Sequence, residues 1–244
     1  MPIVHDACKS EEKILMKKLL SAFLCLLLCA SLVPAMAEEA EREIVASGDY
    51  EYVLLDDGTA EIVSYGGEDQ TLEIPATLDE YSVSSIGDEA FAWRSSLTSV
   101  TIPDSVTSIG DWAFHWCKSL TSVVIPDSVT TIGDCAFIDC HSLASVTIPD
   151  SVTSIGDEAF ESCERLTSVS IGNGITSFDR NPFLYCYHLT DIRVSPEHPT
   201  LETIDGVLFN KADRRLVCYP CGYTSKQYEI PQGIESIGNY AFLK

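Results

Sequence analysis

Four stretches of this 244-residue chain are close copies of one another, beginning at Leu97, Leu120, Leu143 and Leu166, so the period is 23 residues. A unit of that size cannot bury its own apolar face. It becomes stable only by stacking on its neighbours, which makes a fixed period in the twenties the mark of a solenoid. This constrains the architecture more tightly than any local propensity, and it directs attention to an extended surface rather than an enclosed active site.

Aligning the copies gives columns that do not vary in character. One holds Ile102, Ile125, Ile148 and Ile171; another holds Ile86, Ile109, Ile132 and Ile155, continued by Phe178. A third pairs a small residue with an aromatic one at Ala90-Phe91, Ala113-Phe114, Ala136-Phe137 and Ala159-Phe160, loosening to Pro182-Phe183. Cys117, Cys140, Cys163 and Cys186 form a fourth, and Leu97, Leu120, Leu143, Leu166 and Leu189 a fifth. These are the inward columns of a stacked coil. Leu120, Val123 and Ile125 have the spacing of a strand entered from a turn, with Ser122 and Val124 facing outward. Pro126 ends the strand for want of a donor, and Asp127-Ser128 supplies turn chemistry. Val129 and Ile132 predict a second short strand. After Gly133-Asp134, the spacing of Ala136, Phe137 and Cys140 predicts a short helix or 3₁₀ turn with one side buried.

The order Leu-x-x-Val-x-Ile-Pro, then Val-x-x-Ile-Gly-Asp-x-Ala-Phe-x-x-Cys, resembles the BspA-type leucine-rich-repeat family over roughly residues 48–244. The resemblance implies a leucine-rich-repeat solenoid, a β-rich right-handed superhelix with parallel strand ladders and short helical turns. It also implies a secreted or cell-surface protein with an adhesin-like role towards host extracellular-matrix proteins or neighbouring cells.

Residues 1–37 have the features of a signal peptide. Lys17 and Lys18 precede the apolar run Leu19–Leu28, and Ala35-Met36-Ala37 offers a cleavage site; translation starting at Met16 would suit this leader. The apolar run is too short for a stable membrane span. Residues 38–70 are expected to form an N-terminal cap hairpin turning at Asp56-Asp57-Gly58-Thr59. The 23-residue repeats then occupy 71–194, with an early insertion around Asp79–Ser82. Residues 195–229 carry an insertion of two apolar runs, read as a hairpin, and 230–244 an incomplete final repeat.

The formal net charge is −22, and residues 38–244 carry 11 Lys or Arg against 34 Asp or Glu. Such a chain is unsuited to nucleic acid or anionic lipid, whose phosphates need basic residues. Solubility accounts for much of the charge. Columns of Asp104, Asp127 and Asp150, and of Asp88, Asp111, Asp134 and Asp157, would place like charges one strand spacing apart. Either each Asp caps its own turn or a cation such as calcium relieves the repulsion. No loop has the dense carboxylate set that calcium favours, so no metal is assigned. The cysteine column is read as small apolar core, its members poorly placed for bridging. Cys218-Tyr-Pro-Cys221 could bridge or mimic a redox motif, although its surroundings look extended rather than helical.

No catalytic constellation emerges. His115, His141, His188 and His198 show no metal-ligand spacing, and there is no Gly-x-Ser-x-Gly elbow or phosphate-cradling loop. No cofactor is implied, and the chain is read as non-enzymatic. Three outward surfaces remain. The first is a hydroxyl-lined strand face running through Ser99, Ser122, Ser145, Ser168 and Asp191, and through Thr101, Val124, Thr147, Ser170 and Arg193. The second is the turn edge, where Trp112, His115 and Trp116 share the outer side and Trp93 lies one coil earlier in the column of Trp116. An exposed aromatic patch there would contact protein or sugar, unless the cap or first insertion folds over it. The third is the irregular region, where Arg180, Arg193, Lys211, Arg214, Arg215 and Lys226 lie with Tyr185, Tyr187, Tyr219 and Tyr223. It is either a partner surface or ordinary charge balancing within a hairpin. The reading is a repeat protein that binds another macromolecule, either a protein of a host matrix or cell or, as an alternative class, a glycan or envelope component met through the tryptophans.

Overall fold

The computed structural model describes residues 42–225 and 227–243, so the leader read over residues 1–37 lies outside the described residues. In chain order the strands are β1 (Ile44–Ser47), β2 (Tyr50–Leu54), β3 (Ala60–Tyr65), β4 (Thr71–Glu73), β5 (Thr77–Leu78), β6 (Tyr81–Ile86), β7 (Ser99–Thr101), β8 (Ser108–Ile109) and β9 (Ser122–Val124). They continue as β10 (Thr131–Ile132), β11 (Ser145–Ile148), β12 (Ser154–Ile155), β13 (Ser168–Ile171), β14 (Asp191–Val194), β15 (Leu201–Ile204), β16 (Val207–Asn210), β17 (Arg215–Cys218) and β18 (Ser236–Ile237). No helix among the described residues is long and apolar enough to cross a membrane.

The described residues form a β-solenoid of about eight turns. Every second residue of a strand faces inward, and the 23-residue period lays each strand beside its own copy. One face is built from β4-β7-β9 and then β11-β13-β14, all parallel. Its register is that of the sequence columns: Ser145, Ser168 and Asp191 are paired, as are Thr147, Ser170 and Arg193. The second face runs β3-β6-β8-β10-β12, again in parallel, with Ile86, Ile109, Ile132 and Ile155 aligned.

The third side is a turn edge, and here the structure differs from the short helical turn read from the sequence. The segment is a run of β-turns closed by bonds such as Cys140 N–H to the Phe137 carbonyl and Leu143 N–H to the Cys140 carbonyl. Alternate amides also reach the next coil: Trp112, Phe114 and Trp116 donate to the carbonyls of Asp134, Ala136 and Ile138 at 2.8–3.1 Å. A helix would spend those donors within its own coil, whereas the turns leave them free to join coils together. Buried side chains fall in the same places in either case, which is why the inward columns do not reveal the difference.

Inside, Phe91, Phe114, Phe137 and Phe160 are stacked with ring centroids 5.1–5.3 Å apart and planes within 9° of parallel. Each cysteine of the fourth column is fully buried, and its Sγ lies 3.2–3.3 Å from a phenylalanine carbonyl of the preceding coil. Burial pushes the Cys117 thiol up to about 12 and the Cys140 and Cys163 thiols well above the usual range. These thiols behave as core packing groups.

The Ile-Gly-Asp triplet also has a structural cause. The backbone N–H groups of Asp111, Asp134 and Asp157 donate to the Oδ1 atoms of Asp88, Asp111 and Asp134 at 2.7–2.8 Å. Each Asp therefore caps the following coil rather than its own turn. The glycine beside it permits the approach: a Cβ at Gly133 would lie 2.4 Å from Asp111 Oδ1 and 2.6 Å from the Gly110 carbonyl carbon.

At one end β1, β2 and β3 form an antiparallel meander that joins the second face through β3. Asp79, at the tip of the β5–β6 hairpin, accepts hydrogen bonds from Ser47 Oγ at 3.0 Å and Tyr52 OH at 2.9 Å. At the other end β15, β16 and β17 are antiparallel and β18 joins β17 in parallel. The turn edge resumes from Asn181 to the carbonyl of Asn239, so the residues between them are accommodated as an added layer. His198 anchors that layer. Its Nδ1 accepts the Thr200 and Leu201 amides at 3.2 and 3.0 Å, leaving Nε2 to donate to the Gly172 carbonyl at 3.2 Å.

Two outcomes follow from this packing. Phe137→Ala, which opens a gap in the ring stack, lowers unfolding free energy by about 3–5 kcal/mol in denaturant titrations; a loss of under about 1 kcal/mol would contradict the stacked column. The second concerns His198, whose pKa is held below the ordinary 6.5 chiefly by burial. A base with a depressed folded pKa contributes its stability above the unfolded value and loses it as pH falls. The stability advantage of the natural protein over His198→Gln therefore shrinks as pH is lowered below 6.5, and a pH-independent difference would contradict the assigned tautomer.

Candidate recognition surface

The turn edge carries its side chains outward on unusual backbone. Trp93, Trp112 and Trp116 have φ of 66°, 59° and 60°, in the left-handed region that bulky residues seldom adopt. The conformation belongs to the turn itself, since Glu89, Cys135, Asp139, Glu158, Ser162 and Tyr185 share it. What distinguishes the first coils is that three indoles occupy positions where glycine would be easier to accommodate.

The structure brings the four turn-edge residues together. The Trp93 and Trp116 rings are 4.5 Å apart, and His115 lies edge-on between Trp93 at 5.1 Å and Trp112 at 5.0 Å. Neither the N-terminal meander nor the β5–β6 hairpin covers them, because Trp93 is 58% exposed and Trp112 38% exposed. Trp116 is differently placed. Its Nε1–H donates to Asp139 Oδ2 at 2.7 Å, and Lys118 Nζ sits 3.4 Å from its ring centroid. Trp116 is thus a braced support, while Trp93 and Trp112 offer uncovered rings.

Asp139 is the hub beneath the patch, with His115 Nε2 at 3.7 Å and His141 Nε2 at 3.4 Å. Partial burial holds the His115 pKa below the ordinary value, against the opposing pull of Asp139 and Glu89. The neutral imidazole is therefore the favoured form at neutral pH. Two coils on in the column of His115, burial raises the Glu161 pKa with help from Glu158 and Asp139.

The irregular region is organised differently. Arg214 pairs with Glu235, and Arg215 Nε lies 2.9 Å from Asp213 while its Nη2 donates to the Phe178 carbonyl at 2.8 Å. Arg193 pairs with Asp191 on the strand face, and Lys211 donates to the His198 carbonyl. Tyr185 and Tyr187 are ring neighbours at 6.3 Å, with Tyr187 49% exposed, and Tyr185 lies in the same column as Trp93 and Trp116. These arginines are thus engaged by groups of their own chain, a local balance that sequence reasoning could not resolve. The Cys218 thiol is buried and its pKa raised, the reverse of what a redox cysteine requires.

A shallow open groove of about 610 Å³ also follows the second face, lined by Ser85, Asp88, Ser108, Asp111 and Asp134 among others. Its Asp88, Asp111 and Asp134 Oδ1 atoms are already committed to the coil-to-coil bonds. No cluster of three or more His, Cys, Asp or Glu among the described residues is arranged to hold a metal ion.

Asp139 sustains the protonated form of His115, so Asp139→Ala moves the His115 pKa further down in an NMR titration of the imidazole. It also speeds solvent exchange of the Trp116 indole proton. A rise in the His115 pKa would contradict the arrangement.

The model of the BspA type leucine rich repeat region matches residues 84–213 in six copies, more than half of the chain. A leucine-rich-repeat protein of T. pallidum is 28% identical, with a TM-score of 0.53 over 64% of this chain and 84% of that one. A leucine-rich-repeat protein of Bacteroides ovatus is 28% identical, with a TM-score of 0.56 over 81% of this chain and 56% of that one. The pneumococcal vaccine antigen PcpA shares the fold at 20% identity, with a TM-score of 0.63 over 82% of this chain and 62% of its own. The chain matches no curated protein. The chain belongs to the BspA-type leucine-rich-repeat family.

Proposed function

We propose that this protein is exported and displayed outside the cell, where it binds a protein of a host matrix or another cell through the turn edge of its first coils, in an adhesin-like and non-enzymatic role. The observation that carries the reading is the pair of uncovered indoles, Trp93 and Trp112, with the largely buried His115 between them and Trp116 held by Asp139 alongside. Tryptophan is the residue most enriched among interface hot spots, and one already held in place loses little freedom on binding. A rigid stack of coils offers such a surface without prior folding. Export is supported by the leader pattern of residues 1–37 and by an acidic, soluble composition. The Arg214 and Arg215 region, paired internally, is a secondary candidate only.

Exposed indole faces also suit the apolar face of a sugar ring, which gives the glycan reading its one specific support. A single experiment separates the two. The natural protein and a Trp93→Ala, Trp112→Ala variant are tested against immobilised matrix proteins, intact cells and a glycan array. Protein or cell binding that weakens about 30-fold or more, the cost of losing one hot spot of about 2 kcal/mol, supports the proposal. Loss of glycan binding alone would favour the alternative, and unchanged binding to every target would contradict both.

A further inference from the structure

Lys118 shows that the patch accepts a cation, since its ammonium already lies over the Trp116 ring at 3.4 Å. The same edge repeats this chemistry near the other end. Arg180 replaces the aspartate of the column Asp88, Asp111, Asp134 and Asp157. Its Nε is 3.3 Å from Asp157 Oδ2, its Nη1 3.7 Å from Glu158 Oε1, and its Cζ 5.8 Å from the Tyr240 ring centroid. Tyr240 follows Asn181 in the column of Glu89, Trp112 and Glu158, as the bond from Asn181 N–H to the Asn239 carbonyl establishes. The turn edge thus holds a guanidinium between an Asp-Glu pair and an aromatic ring of a later coil.

An Asp-Glu pair also stands at the start of the stack, Asp88-Glu89, and there an aromatic ring, Trp112, occupies the very next coil, whereas Tyr240 lies two coils beyond Asp157-Glu158. Glu89 N–H bonds the Asp111 carbonyl at 2.9 Å, which sets the backbone of Glu89 against the coil that carries Trp112. The position that Arg180 fills one coil beyond Asp157 is here filled by Asp111. The Trp112 and Trp93 rings remain uncovered, and the carboxylates of Asp139 and Glu89 both act on the His115 imidazole that lies between those rings.

We propose that this edge captures an arginine side chain of a protein partner, with its guanidinium stacked on Trp112 or Trp93 and paired with Glu89. The inference rests on the protein-binding reading above and specifies its chemistry. An indole face attracts a cation through the ring quadrupole, and a nearby carboxylate adds a charge-assisted hydrogen bond. Partial burial of His115 between the indoles keeps it neutral at physiological pH, so it does not repel the incoming charge.

The chain has three tryptophans, all of them in this patch, so three indole N–H resonances report on it directly. The intact ¹⁵N-labelled protein is titrated with acetyl-Gly-Arg-Gly-amide and with the same peptide carrying citrulline, which keeps the shape but not the charge. The expected result is saturable movement of the Trp93 and Trp112 signals with the arginine peptide, and binding about twofold to fivefold weaker with citrulline, the worth of one exposed cation–π contact. Glu89→Gln, a conservative change, weakens the arginine peptide about twofold to fivefold. Equal binding of both peptides, or indole signals unmoved at millimolar arginine peptide, would overturn the inference. If the Trp93→Ala, Trp112→Ala variant still lost its macromolecular target in that case, the recognition reading would stand and only its cationic chemistry would fail. If that variant kept every target while arginine bound, the recognition reading would fail by itself.

Discussion

Backbone hydrogen bonds between successive coils, made on all three sides of the solenoid, are the constraint on which everything else depends. Two sides are parallel strand ladders, and the third is the turn edge that sends alternate amides to the next coil. An unpaired buried amide is costly, so a coil that slipped by one residue would lose bonds on three sides at once. Packing reinforces the same register. The phenylalanine rings stack only when coils are aligned, and the Asp88–Asp157 column binds each coil to the amide of the following one. Glycine in the Ile-Gly-Asp triplet is needed for close approach rather than for a left-handed backbone: Gly110, Gly133 and Gly156 would each place a Cβ within 2.6 Å of a neighbouring carboxylate oxygen.

The inward columns were legible because repetition displays the same side chain at each level. Ile125, Phe137, Cys140 and Leu143 are buried as their columns required, and the parallel register follows from the period. The form of the turn edge was not legible. A helical turn and a run of β-turns bury Ala136, Phe137 and Cys140 alike, and the backbone donors that distinguish them have no side-chain signature. The role of the aspartates was half legible: a capping residue was evident, but its partner lies 23 residues away rather than in its own turn. His198 shows the limit more sharply. A lone histidine in an irregular segment gave no sign that its ring would tie that segment to Gly172.

At the surface, spacing placed Trp112, His115 and Trp116 on one side and Trp93 beside them, and the rings do meet. Spacing could not tell which indoles would be exposed. That division comes from Asp139 and Lys118, which draw Trp116 into a supporting position and leave Trp93 and Trp112 open. The arginine-rich region shows the converse. A cluster of positive charge along the chain is resolved in space into pairs with Asp191, Asp213 and Glu235. A partner surface is therefore better sought where a repeat column departs from its neighbours without an internal group to satisfy it.

Native-state hydrogen exchange at the Phe114 and Phe137 amides tests the central claim most directly, because these donors reach Ala136 and Ala159 of the following coils. If the turn edge is a third coil-to-coil ladder, both amides exchange as slowly as the most protected amides of β8 and β10. Exchange at both sites much faster than in those strands would show that the edge opens by itself, and that the coils are joined on two sides only.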